Sequence, residues 1–178
     1  SRARVVLGNE VIHSKTMEAV HQIAFLEAMP WNLTDEAWRL REQAEANALP
    51  EDFHLGRGGI LDIEFIAQVM QIHYGSIHPT LRQSNTLAAL LALREKDLLS
   101  SQDYEILKHN YRLLRTLETR RQWMEGTSPT LLPTDKQLSK LAFMLSAGTA
   151  DKLQQSVDQA RRQNRDLLER VLCDKRIG

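Results

Sequence analysis

This sequence predicts an all-α fold, a helical bundle of about six or seven helices, on three observations. Apolar residues recur at spacings of three and four along most of the chain. Strand-type alternation is scarce. The five prolines, Pro30, Pro50, Pro79, Pro129 and Pro133, bracket long stretches free of helix breakers.

The elements follow in order. A first helix is expected from about Asn9 to Met29, stopping before Pro30. Proline disfavours helical geometry in the residue before it. Thr34 and Asp35 give a start signal for a second helix reaching about Ala48. A loop from Pro50 to Gly59 leads to a third helix, about Ile60 to Tyr74, ended by Gly75. Its apolar residues Ile60, Ile63, Phe65, Ile66, Val69, Met70 and Ile72 occupy more than one face, so this helix is expected to be central and largely buried.

Ser84 or Asn85 caps a fourth helix to about Lys96, and Ser101 caps a fifth to about Glu125. Tyr104, Leu107, Tyr111, Leu114, Leu117 and Met124 form one stripe on the fifth, with Arg112, Arg115, Arg120 and Arg121 mostly off it. Gly126 to Pro133 is a turn-rich break. A short helix from Thr134 to about Leu145 follows, then a last one from about Thr149 to Cys173 with Leu153, Val157, Ala160, Leu167 and Val171 as its apolar seam. One helical domain is therefore expected over 1–178, with a main bundle over 9–125 and C-terminal helices over 134–173.

Bulk properties narrow the functional classes. The chain has 178 residues, 42% apolar and 26% charged, which suits a globular domain with a real core. Basic and acidic residues balance at 23 each, giving a formal net charge of zero. Nonspecific nucleic-acid binding draws its affinity from neutralised phosphates, so no nucleic-acid partner is expected. Cys173 is the lone cysteine, which rules out an internal disulfide or a thiolate cluster. No apolar run approaches the roughly 20 residues that span a bilayer, and the N-terminus lacks a signal-peptide layout. A cytoplasmic protein without a membrane partner is expected. The absence of an initiator Met suggests a piece of a longer chain.

Chemistry-bearing arrangements are few. The histidines His13, His21, His54, His73, His78 and His109 include no pair at the four-residue spacing of a helical metal site, so no metal site is expected. No Gly-x-Ser-x-Gly elbow is present. Trp31, Trp38 and Trp123 read as packing residues near helix ends.

One stretch stands out: Gly56-Arg57-Gly58-Gly59-Ile60-Leu61-Asp62-Ile63-Glu64-Phe65. Glycines permit positive φ and close backbone approach. The helix start after them offers unpaired N–H groups and partial positive charge, the ingredients of an anion site. Asp62 and Glu64 compete for the same amides. This favours Arg57 as an anion contact and Asp62 as a helix-terminal acceptor or a ligand of a cation. Residues 62 and 64 lie about 200° apart on a helix, so they do not form one paired-carboxylate site. Glu64, Gln68 and Gln71 share a face and must meet something polar, either solvent or a neighbouring domain. A plain reading stands beside this one: the glycines make a turn and the carboxylate caps a helix.

The stretch GRGGILDIEFIAQVMQIHYG resembles a signature of glutamine synthetase adenylyltransferases, found in the helical domain that they share with PII uridylyltransferases. The likeness continues through His78-Pro79-Thr80-Leu81-Arg82, Asn85 to Leu90, and Tyr111-Arg112-Leu113-Leu114-Arg115. Ser1 to Gly8 looks like the segment that closes a nucleotidyltransferase domain in that family.

The resemblance implies an enzyme of two similar halves, each a nucleotidyltransferase domain followed by a helical bundle. One half would adenylylate a tyrosine of glutamine synthetase with Mg and ATP, and the other would remove the AMP by phosphorolysis. PII signalling protein and glutamine would choose between them. The His-Pro-x-Leu-Arg stretch looks more like the C-terminal, adenylylating half. The family's Gly-Ser motif and metal-binding aspartates are absent from these residues, so no catalytic residue and no bound cofactor are expected here.

Three roles are open at this point. Gly56, Arg57, Gly58, Gly59, Asp62, Glu64 and Gln68 would face the missing catalytic domain and support its active site. Alternatively, the chain is a docking module for glutamine synthetase or PII, using Arg112, Arg115 and Arg120. The third role is a spacer.

Overall fold

The computed structural model describes residues 10–25, 33–125 and 130–173. Among them are seven α-helices and no strand: α1 Glu10–Ala24, α2 Leu33–Ala46, α3 Ile60–Tyr74, α4 Thr86–Glu95, α5 Ser101–Glu125, α6 Asp135–Met144 and α7 Ala150–Leu172. A 3-10 turn over Pro79–Leu81, not anticipated from the sequence, precedes α4. Pro79 suits its first position, where no N–H is needed. No described helix is long and apolar enough to cross a membrane.

The all-α expectation holds, and α3 is its axis. It packs against α2, α4, α5 and α7. Ile60, Ile63, Ile66, Ala67, Val69 and Met70 are all buried along it. A helix apolar on several sides must be enclosed on several sides, and four neighbours enclose this one.

Two apolar clusters lie along α5 and α7. Tyr104 and Leu107 share the first with Leu167, Leu168 and Leu172, together with α3, α4 and Ala37. Leu114 and Leu117 share the second with Leu153, Val157, Leu141, Phe53 and Ile60. That order makes α5 and α7 antiparallel. Each fully buried leucine contributes about 1.5–3 kcal/mol. Asn110 lies between the clusters and donates from Nδ2 to Asn164 Oδ1 at 2.9 Å.

Helix starts refine the sequence reading. Asn85, not Ser84, caps α4, its Oδ1 accepting from the Ala88 N–H at 3.1 Å. For α5 the cap is Ser100 rather than Ser101, because Ser100 Oγ is the group three residues before the Asp103 N–H and accepts from it at 3.0 Å. Thr149 caps α7 through Lys152 N–H at 3.2 Å. The first helix ends at Ala24 and Phe25 lies past its end, while its expected start at Asn9, its expected run over 26–29, and Trp31 lie outside the described residues. Trp38 packs as expected, under the Arg165 guanidinium at 4.6 Å. Trp123 does not: it is 70% exposed, with Arg120 lying 4.8 Å over its ring instead of a core beneath it.

Helix α1 stands apart, since none of its residues is buried. Among the described residues, the one after it, Phe25, is buried at 5% exposure and ties it to the bundle. Phe25 abuts Gly75, where a Cβ would come within 2.5 Å of its ring. Arg82 covers the ring at 5.2 Å and donates from Nε to the Gly75 carbonyl at 2.8 Å.

Burial and the nearby Arg82 cation hold the His21 imidazole below its ordinary value of 6.5. The unfolded chain then binds that proton more readily than the folded one, so docking of α1 is favoured above the ordinary value and weakens as pH falls through it. Hydrogen exchange of α1, corrected for intrinsic rates, is expected to show less protection at pH 5.5 than at pH 7.5. His21→Gln is expected to flatten that difference.

Candidate functional site around the glycine motif

The glycine loop is short, and its backbone is in close contact with what surrounds it. Gly58 has φ of +73°, and a Cβ there would sit 1.9 Å from the Arg161 carbonyl oxygen. A side chain on Gly56 or Gly59 would approach the carbonyls of Asp52 and His54 to 2.3 and 2.6 Å. Glycine is therefore required by space and, at Gly58, by backbone conformation as well. From α7, Asn164 Nδ2 donates to the Gly58 carbonyl at 2.9 Å and Arg161 Nε to the Arg57 carbonyl at 3.0 Å.

The amides that open α3 are already used. The N–H groups of Gly59, Ile60 and Leu61 donate to the carbonyls of Gly56, Phe53 and His54 at 2.9, 3.0 and 3.0 Å. The Gly58 N–H donates to Asp62 Oδ2 at 2.9 Å. No open anion cradle is left at this helix start.

Asp62 has no solvent exposure. Its Oδ1 accepts from Arg41 Nε, and Arg41 is also completely buried. Asp62 is thus an acceptor at the helix terminus, and the positive charge beside it is the guanidinium of Arg41. Arg41 Nη2 goes on to the Gly56 carbonyl at 2.8 Å. Arg165 Nη1 lies 3.7 Å from Asp62 Oδ2 and 3.1 Å from Glu45. Burial pushes the Asp62 carboxyl up, against the pull of Arg41, Arg165 and the Gly58 N–H.

Glu64 lies on the other side of α3 and has its own cation. It is 4% exposed and accepts from Arg115 Nη2 at 2.8 Å and from the Tyr111 hydroxyl at 3.3 Å. Arg115 Nη1 also donates to Glu118 at 2.7 Å, and Glu118 meets His54 Nδ1 at 2.7 Å. Burial opposes the Arg115 cation, but its bonds to Tyr111 and Glu118 outweigh that and raise its pKa.

Five of the seven motif residues, Gly56, Gly58, Gly59, Asp62 and Glu64, are thus buried by this bundle's own elements. Arg57 is exposed, paired with Glu169 at 2.8 Å, and Gln68 is half-buried. Gln71, third in the polar row, is buried and donates to the Gln83 carbonyl at 2.8 Å. Beside the loop lies an open cleft of about 980 Å³ between α2 and α7, lined by Trp38, Glu42, Arg57, Arg161, Arg162 and Asp166 among others.

Sequence reading missed Arg41, Arg161, Asn164 and Arg165. A signal for three of them existed: positions 161, 164 and 165 interrupt the α7 seam at spacings of three and four, on the side that packs.

Chemically, this is an ionic joint. Both motif carboxylates are neutralised by arginines, so an incoming Mg²⁺ would meet guanidinium groups, and the donor set does not suit it. Among the described residues, no group of three His, Cys, Asp or Glu side chains is placed to hold a metal ion.

A glycine turn feeding a buried helix, held by arginines from both flanks within an all-helical bundle, defines the described residues as a helical domain built around a charge-pinned central helix. A family model described as GlnD PII-uridylyltransferase matches residues 31–172, and the chain belongs to that family. Three relatives bear the name bifunctional glutamine synthetase adenylyltransferase/adenylyl-removing enzyme. The one from Leifsonia xyli subsp. xyli is 30% identical over 76% of this chain and 14% of its own length. That from Nitrosomonas europaea is 34% identical over 74% of this chain and 15% of its own length. That from Stenotrophomonas maltophilia is 28% identical over 84% of this chain and 16% of its own length. The chain thus spans only about one-seventh of the length of these relatives.

Removing one partner of the buried pair leaves a lone charge. Arg41→Met is expected to cost about 3–5 kcal/mol in chemical denaturation. Adding Asp62→Asn is expected to return part of that loss, since the asparagine oxygen still accepts from Gly58 without a charge.

Gly58→Ala combines positive φ with a backbone clash. It is expected to cost more than the roughly 1–2 kcal/mol of the left-handed conformation alone. A melting temperature equal to the parent's would contradict this close packing.

Proposed function

We propose that this chain is the helical domain that follows a nucleotidyltransferase domain in a cytoplasmic enzyme that adenylylates and deadenylylates glutamine synthetase. We assign it to the C-terminal, adenylylating half, on the His78 to Arg82 stretch. ATP and Mg²⁺ are held by the other domain, and PII signalling protein regulates the whole. The observation that carries this reading is that both motif carboxylates are committed to arginines of this bundle, so neither is free to hold a metal ion.

The motif then serves the catalytic domain as a support. Asp62 and Glu64 fix the loop and α3 from within, and the accessible Arg57 and Gln68 carry the contact. A position set by buried charges is stiff, and catalysis is sensitive to displacements of about 1 Å in a supporting wall.

Docking of glutamine synthetase is a second reading, favoured by the exposed Trp123 under Arg120 and by exposed Arg112 on α5. Exposed aromatic and arginine side chains are enriched where proteins bind one another.

This chain with glutamine synthetase and Mg-ATP is expected to give no AMP transfer above background; turnover would overturn the reading. In the full-length enzyme, Glu64→Gln is expected to lower AMP transfer at least about tenfold with glutamine synthetase binding intact. Calorimetric binding of glutamine synthetase by this chain alone, abolished by Trp123→Ala, would favour docking instead.

A further inference from the structure

The core side of α6 is complete without its most exposed residue. Leu141 and Ala142 are buried, and Leu138 and Leu145 pack beside them against the cluster of Leu114, Leu117 and Val157. Those four α6 positions recur at i, i+3, i+4 and i+7, one full stripe. Phe143 lies on the opposite side and is 83% exposed, with Met144 next to it at 38%. An aromatic residue is a poorer helix former than alanine or lysine, so folding of α6 gives no reason for a ring at a solvent position.

The neighbours of Phe143 on that side are cationic. Lys136 and Lys140 precede it by seven and three residues, which places all three within about 60° of one another around the helix. Both lysines are exposed, and among the described residues neither pairs with a carboxylate. Elsewhere Arg39, Arg57, Lys108 and Arg170 are each joined to an acid. The exposed Trp123 has Arg120 over its ring, whereas no described cation covers Phe143.

We propose that this outer face of α6 docks an acidic segment of another protein, whose carboxylates meet Lys136 and Lys140 while an apolar side chain lies over Phe143 and Met144. Charge selects the occupant. Two lysines are too few for an anionic bilayer, which is recognised by clusters of about four to eight basic residues. A second copy of this chain docked through the same face would set lysine against lysine. An acidic segment meets neither objection. Exposed ion pairs contribute little affinity, so the ring supplies the hold and the lysines the choice of partner. This surface does not depend on the proposed enzymatic role.

The test is fluorescence anisotropy of a labelled synthetic helical peptide, with leucines at i and i+4 flanked by glutamates, titrated with this chain. Binding is expected, and Phe143→Ser should weaken it at least about tenfold. Lys136→Glu with Lys140→Glu should weaken it at least as much, while Lys15→Glu with Lys96→Glu, the same charge change beyond α6, should leave it. All five side chains are exposed, so melting temperatures should stay with the parent's. A peptide with glutamine in place of glutamate should bind at least about tenfold more weakly. No binding at about millimolar peptide, or equal binding of the glutamine peptide, would overturn the proposal. Binding to phosphatidylserine vesicles that Phe143→Ser abolishes, without peptide binding, would overturn it in favour of a lipid surface. A concentration-dependent dimer abolished by the same substitution would overturn it in favour of a second copy.

Discussion

A carboxylate completely removed from water must be neutralised where it stands, and the architecture around α3 follows from how Asp62 meets that demand. Its two oxygens take the Arg41 guanidinium and the Gly58 amide, with Arg165 behind. Those partners come from α2, the glycine loop and α7, so one buried group fixes three pieces of chain against a fourth. Such a pair contributes little net stability compared with apolar side chains of the same volume, because desolvation offsets most of the attraction. What it supplies is geometry. A leucine at position 62 would tolerate α2 at many angles, whereas the Arg41 fork, bound to both Asp62 and the Gly56 carbonyl, tolerates few.

The same helix turns a second carboxylate the other way. Glu64 is two residues on, about 200° around the axis, and finds Arg115 and Tyr111 on α5. The α3 helix is therefore pinned by charge on opposite flanks while its remaining faces are apolar. A rotation of α3 that relaxed one ion pair would pull the other apart. This opposition explains why two acids so close in sequence form no joint acid-base site, and why a motif of this polarity can lie inside a core.

The helices were legible because their signals are local. Spacings of three and four marked α3, α5 and α7, and Asn85 and Thr149 marked two starts. The site was legible only in part. The glycines and acids of residues 56–64 declared themselves, but their partners did not, because Asp62 to Arg165 and Glu64 to Arg115 are contacts between distant parts of the chain. Nothing in the neighbourhood of Arg41 distinguishes it from Arg39, which lies two residues away on the exposed face of the same helix and pairs with Glu36. The polar row was read as needing an outside partner, since sequence shows the donors on a helix but not the carbonyls of Leu81 and Gln83 that fold back to Gln71. Trp123 was misread for a related reason: size and apolarity favour burial, yet an arginine one turn away can cover a ring at the surface.

Rigidity is unevenly distributed as a result. From α2 onward, every described helix contributes at least one buried side chain. α1 contributes none, and its anchor is an aromatic ring beyond its end. A helix in that position depends for its place on that one ring, whereas the body beside it is pinned by buried ion pairs. The body can hold a surface still for a neighbouring domain.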